Sequence, residues 1–395
     1  MHLGKQYWIA IICKFAMIAT SFLITIFINR GLGVSGKGEY AYVTKLVEML
    51  YIFCSIGIGQ AYATYRRSIG ESVRSTFFSL AFFHVIIVLL IGMPIVLLSG
   101  VDYGIAIVSL TAVAVANVII SMMAVIENSI RRNIIVTSVN ILYLAVLCVL
   151  YYTGGLTLTA ALICYGLNEV FAIIVILFTY RMKFSIKHLF ESAKSGLLKN
   201  VYKTGLITMI VVLLISINYS VDTIMLKRMS DSYYTGIYSV GAALSNMFLL
   251  IPDAFKEVLF GDSTKKSFNK KTAYSSIKVS LLALGLILIA FVFLGKFAIQ
   301  LFYGTDYLPS YEVTLVLFIG SISMVFFKIL QPVYIAYGKQ TKAAVFLALS
   351  AIINVAINAI MIPTYHSMGA AVASAISYSI CGLLFFIDYI RTKDM

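Results

Sequence analysis

Only 12% of the 395 residues are charged, so a charged side chain inside a long apolar run is the first place to look for chemistry. Lys14, Lys45, Glu48, Asp222, Asp253, Lys256 and Lys328 stand in such runs. An ionised group in hydrocarbon is costly, so it faces a protein interior or a water-filled cavity and marks a ligand or ion path by default. At helical spacing Lys14 shares a stripe with Ser21, Thr25 and Asn29, and Lys45 with Glu48, Ser55 and Gly59. Thr204, Thr208, Asn218 and Asp222 line one face of a later segment. Tyr238, Ser245 and Lys256 line the next, with Asp253 close by and Pro252 placed to kink it. Four polar faces of this kind predict a hydrophilic cavity of positive potential, with lysines to hold an anion and Glu48 and Asp222 to take up a proton or a sodium ion.

Each residue also has a plainer reading. Lys45 and Glu48, three apart, either neutralise each other or contact a ligand. Lys256 and Lys328 either reach a ligand or snorkel to the headgroups. Lys14, nearest the middle of its run, is the best single candidate for a substrate contact. Asn117, Ser121, Asn128, Asn354 and Asn358 read as polar contacts between helices.

Other patterns carry less. Gly31 to Gly38 resembles a phosphate-binding loop, but Gly38 stands where a magnesium-ligating hydroxyl belongs, and the segment joins two apolar runs instead of a strand and a helix. His2, His84, His188 and His366 are far apart with no metal-ligand spacing, and His84 reads as a packed or cavity-facing imidazole. Cys13, Cys54, Cys148, Cys164 and Cys381 lie in apolar runs without paired spacing. No metal, cofactor, nucleic-acid partner or enzymatic triad is called for.

The elements that position these residues follow from composition. Hydrophobic residues make up 61% of the chain and mean hydropathy is +0.98, values that exclude a soluble domain architecture. A hydrocarbon core about 30 Å thick takes roughly twenty apolar residues per helix. Runs of that length fall near 8–29, 41–65, 76–98, 104–127, 133–153, 158–180, 205–226, 234–260, 276–295, 311–336, 340–362 and 368–390. The first carries Lys14 and lacks a cleavage site, so it is expected to remain as a span. The connections on one side hold about twenty basic residues against five on the other, which places both termini in the cytoplasm.

The longest connection, the basic stretch 181–204, separates an expected six-helix lobe at 1–180 from a second at 205–395. The halves echo each other. Arg30 is followed eight residues later by Gly38-Glu39-Tyr40, and Arg228 by Gly236-Ile237-Tyr238; Thr159-Ala160-Ala161 pairs with Gly369-Ala370-Ala371.

These residues resemble the polysaccharide flippases of the multidrug/oligosaccharidyl-lipid/polysaccharide (MOP) exporter superfamily. The first hairpin, Arg30-Gly31-Leu32-Gly33 with Gly38-Glu39-Tyr40, is similar to theirs. So are Val221 to Leu226 followed by Gly236 to Ser239, Gly338-Lys339, Asn354, Asn358, Ile362-Pro363 and Gly369-Ala370-Ala371. Length and span count look most like the O-antigen flippases. The resemblance implies an all-α integral membrane fold of about twelve helices, in two pseudo-symmetric lobes around a central cavity. It also implies an oligosaccharide joined through diphosphate to undecaprenol as substrate, in a bacterial inner membrane, with a polysaccharide polymerase and chain-length regulator as partners. Lys14, Lys45 and Lys256 would then meet the diphosphate, and Tyr42, Tyr62, Tyr238 and Asn218 the sugars. A drug/cation antiporter of the same superfamily is the alternative, though its cavity should be acidic. A membrane-embedded polymerase or ligase is the rival from another class, though it should carry a large outer loop.

Overall fold

In a computed structural model of the chain, residues 5–255 and 270–392 are described, and they are helical almost throughout, with no strand among them. The helices are α1 (Lys5–Ser55), α2 (Ile58–Ile69), α3 (Val73–Ser99), α4 (Gly104–Tyr152), α5 (Leu158–Tyr180), α6 (Ile186–Lys194), α7 (Leu197–Met229) and α8 (Ser232–Phe248). After them come α9 (Lys270–Tyr303), a 3-10 turn at Thr305–Tyr307, α10 (Ser310–Ala336) and α11 (Gln340–Arg391). In lipid every backbone N–H and C=O must be satisfied within the segment, which only helices of this kind or closed barrels achieve.

Among the described residues, eight helical runs are long and apolar enough to cross a bilayer, and the longest turn sharply inside. α1 breaks at Gly33 (φ 65°), α4 at Asn128 and α11 at His366 (φ 48°). Each break falls where the sequence marks a connection between two spans, so one helix holds two crossings. Span 2 is interrupted as well. Ile56 and Gly57 both take left-handed conformations (φ 47° and 62°) and part α1 from α2.

The chain forms two compact units. The first comprises residues 1–32 and 43–213, the second residues 33–42 and 214–395. The segment 181–204 holds the short helix α6 and the first residues of α7, and α7 passes from the first unit into the second at Leu213. The hairpin from Gly33 to Tyr42 groups with the second unit, and the two echoing glycines explain how. A Cβ on Gly38 would collide with the Ser232 carbonyl, and one on Gly236 with the Val34 carbonyl. The hairpin and the start of α8 therefore meet backbone to backbone, as small residues permit between helices in lipid.

The first unit buries Ile58, Tyr62, Phe77, Leu80, Val115, Ile119, Met123 and Ile176 in one cluster. In the second, Leu284, Phe318, Phe327, Leu330, Tyr334, Leu347 and Phe385 do the same. Gly320 lies against Ala375 and Gly382 against Ser323, drawing α10 onto the second segment of α11.

Candidate ion and substrate sites

In the second unit one carboxylate organises a chain of polar side chains. Asp222 on α7 is wholly buried. Its Oδ2 accepts hydrogen bonds from the Tyr238 hydroxyl at 2.7 Å and the Ser374 hydroxyl at 2.5 Å, and its Oδ1 accepts one from the Asn358 amide. The same amide donates to Asn354 Oδ1 at 3.0 Å, and Asn354 donates to Ser377 Oγ at 3.2 Å. Ser350 donates to the Ser377 carbonyl and to Asn218 Oδ1. Asn218, one turn before Asp222, donates to the carbonyls of Leu214 and Leu347. Three helices thus converge: α7, the start of α8, and both segments of α11.

The balance of this cluster is unusual. A buried carboxylate normally sits beside a cation, and among the described residues no Lys or Arg bridges Asp222. All its partners are neutral donors. Asn358 Oδ1 is buried without a hydrogen-bond partner. The site therefore has a surplus of oxygen acceptors and one negative charge, the donor set that suits a proton or a hard monovalent cation.

The first unit holds other polar groupings. Near the end of the fourth span, Glu127 accepts Tyr62 Oη at 2.5 Å, Arg66 Nε at 2.7 Å and Arg74 Nη2 at 2.6 Å. Lys45 and Glu48 pair at 2.7 Å, with about a third of each side chain exposed. The Asn117 amide donates to Glu169 between α4 and α5, and Arg132 donates to Ser121 at 2.9 Å. His84 caps the break in span 2. A carbonyl only accepts, so Nδ1–H donates to the Cys54 carbonyl at 2.6 Å, which leaves Nε2 to accept the Tyr202 hydroxyl at 2.9 Å.

The residues singled out in the sequence distribute as follows. Asp222, Tyr238 and Asn218 join one network, as their shared faces suggest. Tyr238 and Asn218 are saturated there by protein partners. Tyr62 is fully buried and spends its hydroxyl on Glu127, and Tyr42 is buried beneath the Arg228 guanidinium, 5.4 Å from its ring. Neither presents surface to a ligand in this conformation. Lys45 and Glu48 form the neutralising pair that their spacing allowed. Lys14 is exposed on α1, and Lys256 lies outside the described residues. Lys328 bonds Asp253 at 3.0 Å and lies over the Tyr219 ring, so it is held within the protein. Sequence reasoning missed Ser374 altogether and read Asn354 and Asn358 as interhelical contacts and as part of the family resemblance. Their i, i+4 spacing on one face of α11 was the available signal. Glu127 and Glu169 were missed too, each a carboxylate near the middle or end of an apolar run.

The fold is shared with solved transporters. The chain matches the lipid II flippase MurJ in an inward closed conformation with a TM-score of 0.73, at 15% identity over 97% of this chain and 88% of that one. It matches an inward-facing multidrug resistance MATE family transporter of the MOP superfamily with a TM-score of 0.69, at 13% identity over 94% and 93%. A MOP superfamily transporter from Pyrococcus furiosus, described as having a binding pocket of reverse polarity, follows at 0.62 and 13% identity over 96% and 93%. No curated protein matches by sequence. At such identities the likeness establishes the all-α membrane fold of this superfamily. Residues 4–255, well over half of the sequence, match the polysaccharide biosynthesis protein family, and the chain belongs to that family.

Proposed function

We propose that the protein is a flippase for undecaprenyl-diphosphate-linked oligosaccharide, the repeat unit of an O-antigen or another surface polysaccharide. It moves this lipid from the cytoplasmic to the outer leaflet of a bacterial inner membrane by alternating access, with both termini in the cytoplasm. Membership of the polysaccharide biosynthesis family supports the substrate class. Asp222 carries the coupling half of the reading: a buried carboxylate surrounded by neutral donors, beside the orphan oxygen of Asn358, takes its compensating charge from outside the protein. A proton or sodium ion entering there changes the charge of the second unit, and this biases it between conformations. Glu48 is the second coupling candidate, in exchange with Lys45.

The diphosphate needs cations. Lys14, Lys45 and Lys256 are assigned to it, with Tyr42, Tyr62, Tyr238 and Asn218 assigned to sugar in conformations that open their packing. The moving bodies are the halves 1–180 and 205–395, joined through 181–204. A polysaccharide polymerase and a chain-length regulator then receive the product. Deletion of the gene should trap undecaprenol-linked oligosaccharide on the cytoplasmic leaflet and remove full-length surface polysaccharide. A deletion strain with normal surface polysaccharide and no trapped intermediate would refute the assignment.

A further inference from the structure

We infer that α6 and its basic flanks form a binding site for anionic phospholipid headgroups, built into the leaflet surface where α5 ends and α7 begins. One face of the helix is anchored to α3. The Ser185 amide donates to Ser79 Oγ at 3.0 Å while Ser79 Oγ donates back to the Ser185 carbonyl at 3.2 Å. Ser75 bonds His188 Nδ1 at 2.9 Å, and Thr76 bonds the buried Ser192 at 3.0 Å. Positions 185, 188, 189 and 192 make one helical stripe, so the opposite stripe faces away from the protein.

That outward stripe is apolar and basic together. Ile186 and Phe190 near it are 55% and 64% exposed, and Phe184, just before the helix, is 46% exposed, on a segment that is not itself a span. Three large apolar groups exposed within one short segment require a cover, and geometry says which. The Phe184 ring packs edge-on against Phe82 with centroids 5.2 Å apart, and Phe82 is an exposed residue about two and a half turns into α3. The apolar face of α6 is therefore continuous with a surface that lies in hydrocarbon. Residues 181–203 add Arg181, Lys183, Lys187, Lys194, Lys199 and Lys203 against the single acid Glu191, and all six basic side chains are exposed. Apolar groups dipping below a ring of cations is the arrangement of an interfacial helix in an anionic leaflet. Since α6 grips α3 and leads through Gly196 (φ 75°) into α7, headgroup occupancy bears directly on two spans.

The test uses the full chain in nanodiscs. Trp8 is the sole tryptophan, so W8F with F190W gives a single fluorescent reporter on the outward face, and W8F with I186W gives a second should the first perturb folding. Acyl-brominated lipids should quench the reporter strongly and acrylamide weakly. Brominated phosphatidylglycerol should quench at least about twofold more than brominated phosphatidylcholine at equal mole fraction, and K183Q/K187Q/K194Q should abolish that preference. Quenching by acrylamide alone would put the face in water, and quenching by neither would mean that protein covers it. Equal quenching by the two lipids would remove the headgroup site. Any of these results overturns the inference.

Discussion

Glu127 in the first unit and Asp222 in the second each lie in a long apolar helix and each accept a hydrogen bond from a tyrosine hydroxyl, Tyr62 and Tyr238 respectively. They differ in what balances their charge. Glu127 is held by two guanidinium groups, with about a tenth of its side chain exposed. Asp222 is buried completely and meets only hydroxyls and amides. A carboxylate clamped by two arginines is electrostatically finished and acts as a strut between α2, α3 and α4. A carboxylate with neutral donors and an orphan oxygen nearby is unfinished until a cation arrives. The first kind fixes a conformation, and the second can select between two.

Substitutions sharpen this contrast. The largest effect is expected from D222N, which should reduce gradient-driven transport by about tenfold or more while leaving the folded protein at least as stable as before, because it removes an uncompensated buried charge. Transport in proteoliposomes and thermal unfolding by size-exclusion chromatography read the two quantities separately. E127Q should behave in the opposite sense. It strands Arg74 and leaves Arg66 with only Glu71, 3.2 Å away, and should cost about 2 kcal/mol of stability, discounted for their partial exposure, seen as a lower unfolding temperature. A stable, fully active E127Q protein would deny the strut. N358A removes the orphan oxygen and an amide donor while keeping the charge, so cation affinity should fall about tenfold, as for a supporting ligand, with Asp222 still essential. The smallest effects belong to the tyrosines. Y238F and Y62F each delete one hydrogen bond to a carboxylate, about 1–2 kcal/mol, and Y238F should shift ion dependence whereas Y62F should shift stability alone.

Much of this was legible in the sequence. Apolar length marked the helices, and helical periodicity placed Asn218 and Asp222 on one face of α7. The echo around Gly38 and Gly236 pointed to positions that do pack together. What stayed hidden depends on partners remote along the chain. Tyr62 looks like a cavity-facing aromatic until Glu127, 65 residues away, takes its hydroxyl. Asn358 and Ser374 are 136 and 152 residues from Asp222, and nothing local to α11 says that its amides serve a carboxylate on α7. Arg66 and Arg74 entered the sequence reading as basic residues of a connection, whereas they lie on α2 and α3, and a charge count does not reveal an ion pair. The basic stretch 181–204 read as a linker because a nine-residue helix with mixed charge and aromatics has no span-like signature.

Direct measurement of cation binding bears most closely on the role of Asp222. Purified protein in detergent would be titrated with sodium by calorimetry, and separately with acid against a pH indicator, for the native chain and for D222N. Loss in D222N of one bound sodium, or of one proton taken up on acidification, is the predicted result. Equal uptake of both ions by the native and D222N proteins would contradict it.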